Sequence, residues 1–174
     1  MAIRIWSIGH SNHSLEELVA LLEKHQVSRI ADIRTVPKSR RNPQFHTDSL
    51  AESLPGHGIA YRHHPDLGGW RKTAKDSPND AWRNRSFRGY ADFAMTGEFS
   101  RGLTELREIA GSERTAMMCS EALWWRCHRR LVADRLVAGE DTVCHIGSDG
   151  RVTPHELTSF AVVSPDGEIT YPAE

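Results

Sequence analysis

Short apolar runs alternate with longer amphipathic stretches along much of the chain. Four runs have the length and composition of buried strands, and they are Ile3–Ile8, Arg29–Ile33, Thr115–Cys119 and Thr142–Ile146. Apolar residues at helical spacing lie between them, from Leu15 to Leu22 and again within Arg126–Ala138. Ser14 and Glu17 have the spacing of a capping box at the first of these helices. Because strands separated by helices favour right-handed crossovers, the pattern predicts an α/β fold with a mainly parallel sheet and flanking helices.

The middle of the chain, from about Pro37 to Phe87, is irregular. Prolines and the pair Gly68-Gly69 interrupt every periodic stretch there. Within and after this section we predict a short helix at Thr47–Leu54, a strand at Ile59–Arg62 and two helices at Tyr90–Met95 and Phe99–Ala110.

The end of the chain follows the last of the four apolar runs. It contains a predicted turn at Gly147–Gly150 and a predicted strand at Phe160–Val163. We therefore expect one α/β domain over residues 1–146, and a C-terminal extension over residues 147–174 that packs on the same domain.

Composition narrows the class of protein without pointing to a partner. The 174 residues are 39% hydrophobic and 26% charged, which is typical of a globular domain. Lys and Arg number 22 against 23 Asp and Glu, so affinity for nucleic acid or a membrane has to come from a local patch. No apolar stretch approaches the ~20 residues of a membrane helix, and the start of the chain lacks a signal-peptide pattern. We expect a soluble, cytoplasmic protein that does not bind membranes, in which the three cysteines are free thiols.

Side chains that can perform chemistry lie at the carboxyl ends of the predicted strands. His10, Asp32, Cys119 and His145 each lie at or beside one such end. Because functional residues of parallel sheets gather at this edge, we expect these four side chains to converge. The most distinctive segment is Cys119–Arg130, which contains two thiols, a carboxylate, an imidazole and three guanidiniums.

Cys127 lies near the predicted start of the last helix. A thiol at a helix N-terminus is stabilised as the thiolate by the helix dipole, and neighbouring cations add to this effect. Cys127 and Leu131 are also four residues apart, a spacing that suits an inert thiol packed in the core. The sequence leaves both interpretations open.

Six segments of the chain together resemble a known family. They are Ser7–Ser11, Asp32–Arg40, Leu67–Gly69, Met118–Glu121, Cys127–Arg129 and Val143–Ile146. In this order they are similar to the domain of unknown function 488 family, over a stretch from Ile5 to about Ile146. The resemblance implies an α/β fold and brings no activity with it.

The favoured hypothesis is a small enzyme that acts on an anionic, phosphate- or nucleotide-like substrate without a required cofactor. Its predicted catalytic residues are Cys119, Glu121, Cys127 and His128. Cys119 is the predicted nucleophile or redox thiol, and Glu121 or His128 is expected to transfer protons. The predicted substrate-binding residues are Arg34, Ser39, Arg129, His10 and Asp32. Arginine suits this role because its guanidinium binds oxyanions through paired hydrogen bonds.

Two other hypotheses compete with the enzyme. Cys119, Cys127, His128 and His145 are candidate ligands for zinc or iron. Their spacing is unfavourable, because seven residues separate the two cysteines, and neighbouring residues on a helix diverge by about 100°. Residues 62–88 are basic and include Trp70, so they can also be interpreted as a nucleic-acid-binding segment.

Overall fold

The fold is built around one six-stranded sheet, and the computed structural model describes residues 1–174. The strands are β1 (Arg4–Gly9), β2 (Arg29–Asp32), β3 (Ala60–His63), β4 (Thr115–Cys119), β5 (Thr142–Ile146) and β6 (Val152–Pro154). They are arranged in the order β3-β2-β4-β1-β5-β6. The first five strands are parallel, and β6 runs antiparallel to β5. The predicted α/β class with a mainly parallel sheet is therefore confirmed.

Five α-helices cover the two faces of this sheet. They are α1 (Leu15–Lys24), α2 (Thr47–Ser53), α3 (Arg85–Phe93), α4 (Gly97–Ser112) and α5 (Arg129–Ala138). Helices α1 and α2 bury Leu18 and Leu50 in one hydrophobic cluster. Helices α3, α4 and α5 bury Tyr90, Phe99 and Leu131 in another. None of these helices combines the length and the apolar character that crossing a membrane requires.

Local side-chain chemistry explains where the helices begin. The Ser14 capping box forms as predicted at the start of α1. Helix α3 begins earlier than predicted because the Asn84 side chain caps it, accepting hydrogen bonds from the first backbone N–H groups. Helix α5 begins at Arg129, later than predicted, because Trp124–Arg126 forms a separate 3-10 turn. Cys127 and His128 consequently lie just before the helix rather than within it.

The connections between strands create a crevice at the carboxyl end of β4. Strand β4 lies between β1 and β2 and pairs with both. The chain passes from β1 and β2 to helices that pack in one cluster, and from β4 to α5 in the other. Neighbouring strands whose connections leave toward opposite faces open a crevice at their carboxyl ends, where ligands of such sheets bind.

The last residues of the chain contribute to both the sheet and the core. Strand β6 extends the sheet beyond β5, and Tyr171 is buried in the same cluster as α3, α4 and α5. The predicted strand at Phe160–Val163 is reduced to β7 (Val162–Val163), which pairs with β8 (Ile169–Thr170) in a separate hairpin.

Candidate active site

Two cysteine side chains meet at the carboxyl end of β4. Cys119 is the last residue of β4, and Cys127 lies two residues before α5. Their Sγ atoms are 2.7 Å apart. Both residues are buried among protein atoms, yet both line the wall of the same cavity. The two thiols therefore form one chemical unit, called the thiol pair below.

Arg129 is a fully buried cation behind the thiol pair. Its Nε donates to Cys119 Sγ at 2.9 Å, and its backbone N–H donates to Cys127 Sγ at 3.2 Å. The other guanidinium nitrogens donate to Ser7 Oγ at 2.8 Å and to the Glu121 carbonyl oxygen at 2.6 Å. None of these acceptors is a carboxylate. Because a buried charge without a counterion costs several kcal/mol, we infer that the thiol pair carries the balancing negative charge.

The two thiols differ in acidity. Burial alone would raise the pKa of Cys127, but the Cys119 S–H that donates to its sulfur and the adjacent Arg129 charge lower it from 9.0 to about 7. Burial raises the pKa of Cys119 well above its ordinary value, and the negative charge on Cys127 raises it further. Near neutral pH the pair therefore titrates by one proton, and these shifts favour the thiolate at Cys127 and the thiol at Cys119.

His128 lies beside Cys127 with its ring held in one orientation. Its Nε2 donates to the Ile33 carbonyl oxygen at 2.7 Å, so in the neutral ring Nδ1 is an acceptor, and it lies 3.7 Å from Cys127 Sγ. Burial lowers the pKa of His128 and favours that neutral form. A nucleophile, a base and a group that orients the base are the parts of a nucleophilic site. The divergence expected for neighbours on a helix does not apply, because both residues precede α5.

Glycines keep the backbone close to these side chains. A Cβ atom at Gly69 would lie 2.7 Å from His128 Nδ1, and one at Gly9 would lie 1.8 Å from the Glu121 carbonyl oxygen. Only glycine fits at either position without a shift of its surroundings. This explains physically why two glycine-containing segments belong to the family resemblance.

The cavity in front of the thiol pair is basic. It has a volume of about 890 Å³. Its cationic wall residues are Arg34, Lys38, Arg71, Lys72 and Arg126, and its one carboxylate belongs to Glu121. Arg34 and Arg71 form ion pairs with carboxylates, whereas the other three cations form none. A concave surface with this excess of positive charge attracts anions.

Asp32 positions Arg34 and does not line the cavity. Its carboxylate is completely buried and accepts hydrogen bonds from Arg34 Nε at 2.9 Å and from the Tyr61 hydroxyl at 2.5 Å. Arg34 also lies 3.1 Å from His10 Nε2. Burial lowers the pKa of His10 to about 4, so its ring is neutral and accepts this hydrogen bond. Asp32 and His10 therefore hold the Arg34 guanidinium at the cavity wall.

A second polar network continues behind Arg129. Ser7 Oγ lies 2.7 Å from His145 Nδ1, and His145 Nε2 lies 2.9 Å from His155 Nδ1. His155 Nε2 in turn lies 2.8 Å from the buried carboxylate of Asp134. Burial lowers the pKa of His145 to about 2, so the ring is neutral. Every donor in the chain then points from Arg129 toward Asp134, and each group is satisfied.

Most of this network leaves no recognisable signal in the sequence. Ser7 is a small residue inside a strand, and His155 and Asp134 lie in segments without a motif. The alternation of buried and polar positions carries no signal for contacts between β1, α5 and the C-terminal segment.

Of the four metal-ligand candidates, Cys119, Cys127 and His128 lie together, and His145 does not join them. Both ring nitrogens of His145 are occupied by Ser7 and His155, and His145 is absent from the cavity wall that Cys119, Cys127 and His128 share. No group of three or more His, Cys, Asp or Glu side chains is arranged to hold a metal ion. The residues present thus do not fit the predicted zinc or iron site.

The structure divides the other predicted site residues into two sets. Those that line the cavity together are Cys119, Glu121, Cys127, His128, Arg34, Ser39 and His10. Those that lie behind its wall are Asp32 and Arg129, which contact wall residues and not the cavity itself. In this arrangement the two residues act on side chains of the wall, and a role in substrate binding would be exerted through those side chains.

The aromatic residues of the segment 62–88 have different surroundings. Trp82 is buried and stacks on Phe87 with ring centroids 4.9 Å apart. Trp70 is 77% exposed at the cavity. Among Trp70, Trp82 and Phe87 it is the residue whose ring is free to stack on a ligand.

Comparison with known proteins yields a family and no activity. No curated protein and no solved structure shows significant similarity to the chain. Residues 14–136 match the family model described as "Domain of unknown function DUF488". This match covers most of the 174 residues and includes the thiol pair, Arg129 and the basic wall. The chain belongs to the DUF488 family.

Proposed function

We propose that the protein is an enzyme in which the Cys127 thiolate is the nucleophile and a small anion, phosphate- or nucleotide-like, is the substrate. One observation carries the proposal. Arg129 is fully buried, and the only group among its hydrogen-bond partners that can become an anion is the thiol pair. A buried cation placed in this way lowers the free energy of a thiolate, which is the reactive form of cysteine.

The roles of the neighbouring residues follow from their contacts. The Cys119 thiol shares a hydrogen bond with the Cys127 sulfur, and this contact lowers the pKa of Cys127. After Cys127 has attacked the substrate and displaced a leaving group, the neutral Nδ1 of His128 can accept a proton from the water that releases the covalent adduct. This assignment replaces Cys119 with Cys127 as the nucleophile, because Cys119 keeps its proton.

The cations of the cavity wall support an anionic substrate. Lys38, Lys72 and Arg126 have no carboxylate partner, and Arg34 is held rigidly by Asp32. Trp70 offers an exposed ring beside these charges, which suits a substrate that has an aromatic base next to its phosphate.

The test compares two alkylating agents that differ in charge. Iodoacetate is anionic and iodoacetamide is neutral, so their ratio of rates reports the electrostatic attraction of the cavity. We expect the ratio of the iodoacetate rate to the iodoacetamide rate to be on the order of 10-fold higher for the protein than for free cysteine. Added salt should lower this ratio. Peptide mapping should place the modification on Cys127.

Cys144 provides the matched control for this experiment. Its side chain lies in β5 and packs against the cluster of α1 and α2, away from the cavity. Cys144→Ser should therefore leave both rates unchanged, and Lys72→Gln should reduce the preference for iodoacetate. Modification of Cys119 or Cys144 instead of Cys127, or a preference equal to that of free cysteine, would contradict the proposal. Compounds that protect Cys127 from iodoacetamide are then the first substrate candidates.

A further inference from the structure

The two thiols lie closer together than catalysis by a single cysteine requires. Their Sγ atoms are 2.7 Å apart, and a disulfide bond requires about 2.05 Å. A movement of less than about 1 Å therefore joins them. Cys119 ends a central strand and Cys127 accepts a hydrogen bond from the N–H of Arg129, so both sulfurs are held in position for this bond.

We propose that Cys119 and Cys127 form a dithiol–disulfide couple that reduces a small anionic disulfide bound in the basic cavity. The proposal shares Cys127 and the cavity with the proposed function, but it requires neither a covalent substrate adduct that water releases nor His128 as a base. It also explains why Arg129 contacts both sulfurs, which a single nucleophile would not need.

The reaction takes place in two exchange steps. The Cys127 thiolate attacks one sulfur of the substrate disulfide, forms a mixed disulfide with it and displaces the other half as a thiolate. The Cys119 sulfur then attacks Cys127 Sγ, forms the Cys119–Cys127 disulfide and displaces the second half as a thiolate. The Cys119 proton passes to one of the departing thiolates. In sum, two cysteines are oxidised, one disulfide is reduced to one thiol and one thiolate, and the net charge is unchanged.

Arg129 supplies the charge stabilisation for both steps. Before the first step the negative charge is on Cys127, and this charge is one reason why Cys119 keeps its proton. When Cys127 becomes part of a neutral mixed disulfide, that repulsion disappears. Arg129 Nε still donates to Cys119 Sγ at 2.9 Å, so the buried cation then favours ionisation of Cys119. The first exchange thereby activates the thiol that performs the second.

The cavity wall selects the substrate by charge. A disulfide that carries carboxylates, such as oxidised glutathione, complements Lys38, Lys72 and Arg126, whereas a neutral disulfide does not. Only 3% of Cys119 and 8% of Cys127 is exposed to solvent. A substrate therefore has to be narrow enough to reach the two sulfurs at the end of the cavity.

The test is an equilibration of the reduced protein with oxidised glutathione, followed by acid quenching and counting of free thiols. We expect two thiols per chain to disappear together, Cys144 to stay free, and peptide mapping to find Cys119 linked to Cys127. Dithiothreitol should restore both thiols. Oxidised glutathione should react at least about 10-fold faster than the neutral disulfide of 2-mercaptoethanol.

Serine variants separate this proposal from the proposed function. Cys119→Ser should trap one glutathione on Cys127, because the second step is lost, and Cys144→Ser should behave as the unmodified protein. An unmodified protein that stops at the mixed disulfide, or whose thiol pair is not consumed, would overturn the dithiol couple even if Cys127 alkylates quickly. Rapid formation of the Cys119–Cys127 disulfide by oxidised glutathione, without protection of Cys127 from iodoacetamide by any phosphate- or nucleotide-like compound, would instead support the couple and contradict the proposed nucleophilic enzyme.

Discussion

Removal of the Arg129 charge is the most direct perturbation of the thiol pair. Arg129→Met keeps a long apolar side chain at a fully buried position and deletes the cation that contacts Cys119 Sγ. Arg129→Lys is the matched variant, because it retains a positive charge while losing the planar set of donors. We expect only the methionine variant to lose the reactive thiolate.

The magnitude follows from the pKa of Cys127. A charge pair about 4 Å apart at an effective dielectric constant of ~20 contributes roughly 4 kcal/mol. Burial of the thiolate opposes this gain, and the net result is a fall of the Cys127 pKa from 9.0 to about 7, or about 3 kcal/mol. Without the Arg129 charge the pKa should rise toward 9.0, because only the hydrogen bonds with Cys119 and with the backbone N–H of residue 129 then oppose the effect of burial. A pKa of 9.0 would reduce the thiolate fraction at pH 7 from about one half to about 1%, so alkylation should slow by up to roughly 50-fold.

The assay is the rate of iodoacetamide modification as a function of pH, with the modified residue identified by peptide mapping. The unmodified protein should give a titration midpoint near pH 7, and Arg129→Met a midpoint that is clearly higher and shifted toward pH 9. Arg129→Lys should give a midpoint near that of the unmodified protein. If Arg129→Met has the circular dichroism spectrum of the native fold and still titrates near pH 7, Arg129 is not the counterion and the reasoning is refuted.

Two further predictions concern stability and local packing. Because the folded pKa of Cys127 is depressed to about 7, its contribution to stability is present above its unfolded value of 9.0 and is lost as the pH falls through 7. The free energy of unfolding in a reducing buffer should therefore rise by about 1 kcal/mol from pH 7 to pH 8, as measured by urea titration. A variant with serine at both Cys119 and Cys127 should show no such rise, and an equal rise in that variant would assign the effect to other groups. Gly69→Ala should place a Cβ 2.7 Å from His128 Nδ1 and displace the ring from the Ile33 carbonyl, which should lower stability by about 1–3 kcal/mol. Gly111→Ala is its control, because a Cβ there meets only Ile3 at an ordinary 3.6 Å, and a loss of stability as large in the control would contradict the role of the His128 contact.

The central strands and most helices could be predicted because their signals are local. A buried strand such as β4 is apolar at every position, and the first turn of α1 is determined by Ser14 and Glu17, which are three residues apart. The boundaries of α3 and α5 were less accurate. Asn84 caps α3 inside a stretch without apolar periodicity, and a 3-10 turn delays the start of α5.

The sequence predicts which residues form the candidate site better than it predicts how their side chains are arranged. The rule that functional residues gather at the carboxyl ends of parallel strands correctly brings His10 and Cys119 to one cavity, but Asp32 and His145, for which it predicts the same, do not line that cavity. It could not tell which charged side chains face that cavity. Asp32 and Arg129 have the residue types of a binding site, yet both point into the protein and act on other side chains.

The sequence by itself determined the α/β class, the family and the set of residues that can perform chemistry, because periodicity and short motifs depend on neighbouring positions. Only the tertiary structure decided that Arg129 lies buried against two sulfurs and that the pKa of Cys127 is lowered while that of Cys119 is raised. Only the tertiary structure linked Ser7 through two histidines to Asp134, across β1, β5, the C-terminal segment and α5. The physical reason is that burial and electrostatic pairing depend on contacts between residues more than one hundred positions apart, such as Ser7 and Arg129, and these contacts leave no trace in local sequence pattern.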